Sequence, residues 1–137
     1  MGELLELFGG ISEEKSLHRY EPDKWSIREL LNHINDTERV FTFRALWFGR
    51  GFDSALPSFN QEIAAKGAEA NQFSLASHLD DFRGIRKATL SLFGSLPADA
   101  WGRTGVASDN AVSTRALAYI TAGHVDHHMA VLKERYL

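Results

Sequence analysis

Cysteine is absent from this 137-residue chain. That excludes disulfides, thiolate metal ligands and a thiol nucleophile supplied by the protein. Any metal must be held by histidine or carboxylate, and any thiol chemistry must draw its thiol from a small molecule. The absence also agrees with an expected cytoplasmic location. No apolar run approaches the roughly 18 residues of a membrane span, so no membrane association is expected. Residues 1–10 lack the basic region and long apolar stretch of a secretory signal. Neither sign of charge dominates: Lys and Arg number 15, Asp and Glu 18, and the formal net charge is -3. The signs are interspersed, without the clustered Lys and Arg that phosphate backbones require, so nucleic acid is not the expected partner. Alternating strand patterns of useful length, fixed-period repeats and low-complexity segments are also missing.

What remains is apolar residues at 44%, enough for a core, in a length that suits one domain over 1–137. Leu4, Leu5, Leu7 and Phe8 form a short helical piece broken by Gly9 and Gly10. Ser12 caps a second short piece through Leu17, and Pro22 biases Glu21 into a turn. Ser26-Ile-Arg-Glu29 matches a capping box. It predicts a long helix from about Ile27 to Phe48, ended by Gly49-Arg-Gly51, with a stripe of Ile27, Leu30, Leu31, Ile34, Phe41, Ala45 and Phe48. Residues 52–71, with Pro57, read as a long connection holding a short helix over Gln61–Ala68. Connections of this length are often functional. Ser74 predicts another helix to about Ser95, with Leu75, Leu79, Phe82, Ile85, Leu90, Phe93 and Leu96 buried. After Pro97, residues 101–110 read as a loop with a hairpin-like turn. Ser113 or Thr114 caps a last helix running to the C-terminus, with Leu117, Ile120, Val131 and Leu132 on its buried face. The expected architecture is an all-α four-helix bundle with long connections, whose N-terminal helix looks short or incomplete.

Six histidines punctuate this pattern: His18, His33, His78, His124, His127 and His128. His124 and His128 stand four apart, hence one above the other on a single helix face. Stepping through Leu117, Ile120, His124, His128 and Val131 places the pair in the middle of an apolar stripe. An i, i+4 pair of imidazoles is a standard source of two metal ligands. A lone histidine there would be an ordinary hydrogen-bonded core residue, and the pair alone leaves metal and core readings evenly matched. His33 lies two turns into the long helix, at the edge of its stripe, within reach of a facing helix. Three histidines on one divalent ion leave a position open for water or substrate, as in catalytic rather than structural sites. His18 and His78 have no partner at useful spacing and read as surface or capping residues. His127 points away from His128.

Lys24-Trp-Ser-Ile-Arg-Glu-Leu-Leu-Asn-His33, continuing Ile-Asn-Asp-Thr-Glu38-Arg-Val-Phe-Thr-Phe-Arg44, resembles the front motif of the DinB-like superfamily. That group includes the bacillithiol- and mycothiol-dependent transferases and YfiT-type enzymes. Ala122-Gly-His124-Val-Asp-His-His128-Met-Ala-Val-Leu resembles its rear motif. The resemblance runs from about Tyr20 to Tyr136. It implies a four-helix bundle, frequent dimerisation, and a divalent metal, often nickel or zinc, on His33, His124 and His128. It does not imply DNA binding.

Glu38 is the acidic residue of the front motif. Orienting a ligand histidine, accepting a proton, and pairing with Arg39 or Arg44 all stay open for it. Asp36 reads as solvated or paired, and Asp126 as facing solvent. Arg44, on the His33 face, either reaches an anionic substrate group or pairs with Glu38. Trp25 and Trp47 read as packing residues. Three functions compete for a small-molecule substrate. The first is a transferase whose nucleophile is a low-molecular-weight thiol held at the metal. The second is a metal-dependent amide or ester hydrolase on the same triad. The third is a non-catalytic metal- or ligand-binding bundle, which closure of the coordination by a carboxylate such as Glu38 would favour.

Overall fold

The structure, a computed structural model, describes residues 2–137. Among the described residues, five α-helices and one hairpin, joined by short 3-10 turns, make up the fold: α1 (Gly2–Gly9), α2 (Ile27–Gly49), α3 (Gln61–Ala68), α4 (Leu75–Gly94), β1 (Thr104–Ala107), β2 (Asn110–Ser113) and α5 (Thr114–Val131). A single wider turn, Leu132–Tyr136, continues α5. Helix α2 lies between α4 and α5, and α1 packs against the far side of those same two helices. These four form the bundle, and α3 rides in the α2–α4 connection. No helix among the described residues is long and apolar enough to cross a membrane.

Local chemistry explains where the helices begin. The Ser26 hydroxyl accepts from the Glu29 N–H while the Glu29 carboxylate accepts from the Ser26 N–H, so the expected capping box is present. Asn60, Ser74 and Ser113 cap α3, α4 and α5 through their side chains. Gly51, at φ +92, turns the chain away after α2 in a conformation open to glycine.

The shortness of α1 is resolved by the hairpin. Eight residues span only about 12 Å, against roughly 35 Å for α2. At the α1 end, Leu4 and Phe8 join Leu31, Ile34, Phe82, Met129 and other side chains in the main core. Beyond the reach of α1, strands β1 and β2 cover α2 and α5, and a second core forms from Ala45, Phe48, Ala107 and Leu117. The antiparallel strands pair Thr104 with Ser113 through to Ala107 with Asn110. Ser108 and Asp109 take the turn, both at positive φ (52° and 62°), as a two-residue hairpin with right-handed twist requires.

Two expected stripes are displaced. In α4, Leu90 is 59% exposed and Thr89 is buried instead. The buried face continues from Phe82 through Arg86 and Thr89 because these meet polar partners on α2. Arg86 pairs with Glu38, and Thr89 Oγ1 lies 3.1 Å from Thr42 Oγ1. In α5, Ile120 is 42% exposed, and the core face runs Leu117, Thr121, Val125, Met129 and Leu132. His124 and His128 therefore flank the buried stripe rather than sitting in its middle, and both are half-buried.

Candidate metal centre

Helix α2 carries His33 and helix α5 carries His124 and His128, and the α2–α5 packing brings the three rings together. The Nε2 of His124 lies 3.1 Å from the Nε2 of His33 and 3.1 Å from that of His128. With bonds of about 2.0–2.1 Å, two nitrogens on one ion are separated by roughly 2.9 Å at a right angle and roughly 3.4 Å at the tetrahedral angle. The observed spacing falls between these limits. The donor set thus fits one divalent cation, and borderline metals such as zinc or nickel suit imidazole. Among the described residues, no carboxylate joins the group.

The electrostatics favour the same use. Burial, then the neighbouring imidazoles, push His33, His124 and His128 down to about 4. At neutral pH each ring is therefore uncharged and keeps one unprotonated nitrogen available for ligation. Thr37, one turn after His33, sets that ring: its Oγ1 lies 3.3 Å from His33 Nδ1 and can accept the Nδ1 proton, leaving Nε2 as the donor atom. Trp25 packs on the His33 ring at 4.7 Å between centroids, and Phe41 edges against His124. The buried Nδ1 of His128 has no hydrogen-bond partner among the described residues.

Two cavities flank the cluster. One, of about 240 Å³, is lined by His33, His124, Thr37, Phe41, Arg44 and Ser108. The other, of about 400 Å³, opens beside His128 and is walled by Tyr20, Trp25, Val131 and Tyr136. Gln61, the first residue of α3, lines both. The α2–α4 connection thus borders both cavities. Tyr136 donates to the Trp25 carbonyl at 2.8 Å, and burial raises its phenol to about 12. It stays a protonated wall residue.

The remaining expectations divide. Glu38 is 1% exposed, and its two oxygens accept from Nε and Nη2 of Arg86 at 2.7 Å each. It makes no hydrogen bond to the three histidines and lines neither cavity. Its partner is neither Arg39 nor Arg44: a buried carboxylate needs a fully hydrogen-bonded cation, and α4 supplies one. Arg44 lines the smaller cavity together with His33 and His124. Asp36 binds Asn32 and Arg39, and Asp126 and His127 are exposed, as expected. His78 is a correction: it is buried, and its Nε2 lies 2.9 Å from the Ala70 carbonyl. Its role is to tie the turn before α4, a contact that spacing along one helix does not reveal. Thr37, Ser108 and Gln61 were not singled out from sequence. Thr37 carried a signal in its i+4 position after His33, and Gln61 lay in the long connection whose length pointed to function.

The profile of the DinB superfamily matches residues 2–132. The chain belongs to that superfamily. A solved structure with the same fold is that of YfiT from Bacillus subtilis, described as a probable metal-dependent hydrolase with an unusual four-helix bundle topology. The two agree with a TM-score of 0.85 at 12% identity, over 97% of this chain and 77% of that one. No curated protein matches.

Proposed function

We propose that this chain is a divalent-metal-dependent enzyme that joins a small-molecule thiol to an electrophile. The observation that carries the reading is the convergence of the Nε2 atoms of three neutral imidazoles, with a cavity lined by His33 and His124 and another by His128. Bound there, zinc or nickel would act as a Lewis acid and lower the pKa of a coordinated thiol or water. His33, His124 and His128 would hold the ion, with Thr37 orienting His33. Two cavities meeting at one cluster suit two reactants, one on the His128 side and one on the His33–His124 side. The absence of cysteine leaves the thiol to the co-substrate. Glu38, bound at both oxygens by Arg86, supports an open site rather than the closed coordination of a storage or structural role.

Hydrolysis is the second reading. It rests on the fold shared with YfiT and on a single cavity being enough for water and one substrate. One experiment separates the two. Protein loaded with zinc or nickel is incubated with a small thiol and a chromogenic aromatic electrophile, and separately with a nitrophenyl ester without thiol. Conjugation that disappears on chelation is expected; ester cleavage alone would assign the chain to hydrolysis. In parallel, His124→Ala should lose most of the bound metal. Stoichiometric metal retained by that variant would refute the triad.

A further inference from the structure

Arg28, Arg44 and Arg86 are largely buried, and they differ in one respect. Arg28 and Arg86, with side chains 11% and 14% exposed, pair with Glu13 and Glu38. Arg44 is 9% exposed and has no carboxylate within ion-pair distance among the described residues. A buried cation without a counter-charge is costly to keep.

Its hydrogen bonds are one-sided. The Nη2 nitrogen donates to the Pro57 carbonyl and to Ser108 Oγ, both at 3.0 Å. Nε and Nη1 find no acceptor among the described residues, although neither is sealed from solvent. Arg44 is part of the lining of the smaller cavity, as is its partner Ser108. Pro57 belongs to the long connection and Ser108 to the hairpin turn, so two separate loops hold one cation in place. Arg44 follows His33 by three turns of α2 on nearly the same face, roughly 16 Å along the axis between backbones. Helical side chains lean toward the preceding turn, which for Arg44 is the direction of His33.

We propose that Arg44 is a substrate-recognition residue and that the smaller cavity takes a small molecule with a terminal oxyanion, a carboxylate or a phosphate, docked on its guanidinium. The other end of that molecule lies at the histidines, a placement that rests on the reading of the triad as the reacting centre. The oxyanion supplies the counter-charge the protein omits and fills the free Nε and Nη1 donors.

The test uses metal-free full-length protein, so that it does not depend on the triad; metal content decides the triad separately. Benzoate, its neutral counterpart benzamide, and inorganic phosphate are titrated calorimetrically. Benzoate or phosphate should bind roughly tenfold or more tightly than benzamide, and Arg44→Gln should remove that preference while sparing benzamide. The better of the two anions identifies the class. Arg44→Lys should retain part of the affinity, since it keeps the charge without the planar fork. Should Arg44→Gln not fold, the wild-type anion preference and movement of the Arg44 Nε–H resonance on adding the anion decide the matter. Equal binding of benzoate and benzamide with no phosphate binding would overturn the assignment. So would anion affinity unchanged in a folded Arg44→Gln protein.

Discussion

His33, His124 and His128 are held unprotonated by burial and by one another, and this has a consequence for stability. In the unfolded chain these rings titrate near 6.5, and in the fold near 4. Between those values the unfolded state binds more protons than the folded one, so stability rises with pH across the interval. The metal-free protein should be fully stabilised above about pH 6.5 and lose thermal stability as pH falls toward 4. Melting temperatures measured through that range check this, and His124→Ala should flatten the profile. A wild-type melting temperature constant from pH 6.5 to 4 would contradict it. At this scale much was legible: the i, i+4 pair follows from helical period, and His33 was indicated by its place at the stripe edge together with the family resemblance. The buried state of His78 and the partner of Glu38 were not, because Ala70 and Arg86 reach them from other segments.

At the scale of elements, the caps at Ser26, Ser74 and Ser113 could be read directly, since capping is decided within three residues. The face each helix buries was harder. Leu90 and Ile120 fit the apolar period yet are exposed, because Arg86 and Thr89 satisfy their polar groups across the α2–α4 interface and Thr121 bonds the Leu117 carbonyl. The hairpin depends on another detail. A Cβ placed on Gly105 would come within 2.0 Å of the Phe48 ring, itself 1% exposed. Gly105→Ala should destabilise the protein by about 1–3 kcal/mol or more, as overpacking does. Chemical denaturation would show this as a lower midpoint. An unchanged midpoint would mean that the hairpin shifts freely on α2. Such a shift would also move Ser108, whose hydroxyl accepts from Arg44, so the hairpin bears on the cavity as well as on the second core.

For the molecule as a whole, the candidate centre joins α2 to α5, two helices distant in sequence. A ligand that binds only the assembled fold stabilises it by mass action, about 2.7 kcal/mol at a hundredfold excess over Kd. For a chain of this size that corresponds to a rise in Tm of roughly 10 °C. Zinc or nickel should therefore raise the wild-type Tm by about that amount in differential scanning calorimetry, and His33→Ala should abolish most of the rise. An equal rise in that variant would mean that the ion binds elsewhere.

The amino-acid sequence by itself determined the helical class, the helix starts and the shared face of His124 and His128, because these depend on short-range periodicity and capping; His33 joined them as an expectation through the family resemblance. Its two histidine motifs were also enough to indicate the superfamily. Tertiary structure decided what lies around those histidines. The 3.1 Å spacing of the Nε2 atoms, the two cavities meeting at Gln61 and the pairing of Glu38 with Arg86 all arise between segments far apart in the chain. So does the lack of a carboxylate within ion-pair distance of Arg44 among the described residues. No period along one helix encodes which groups a second helix, a loop and a hairpin turn will bring to the same place.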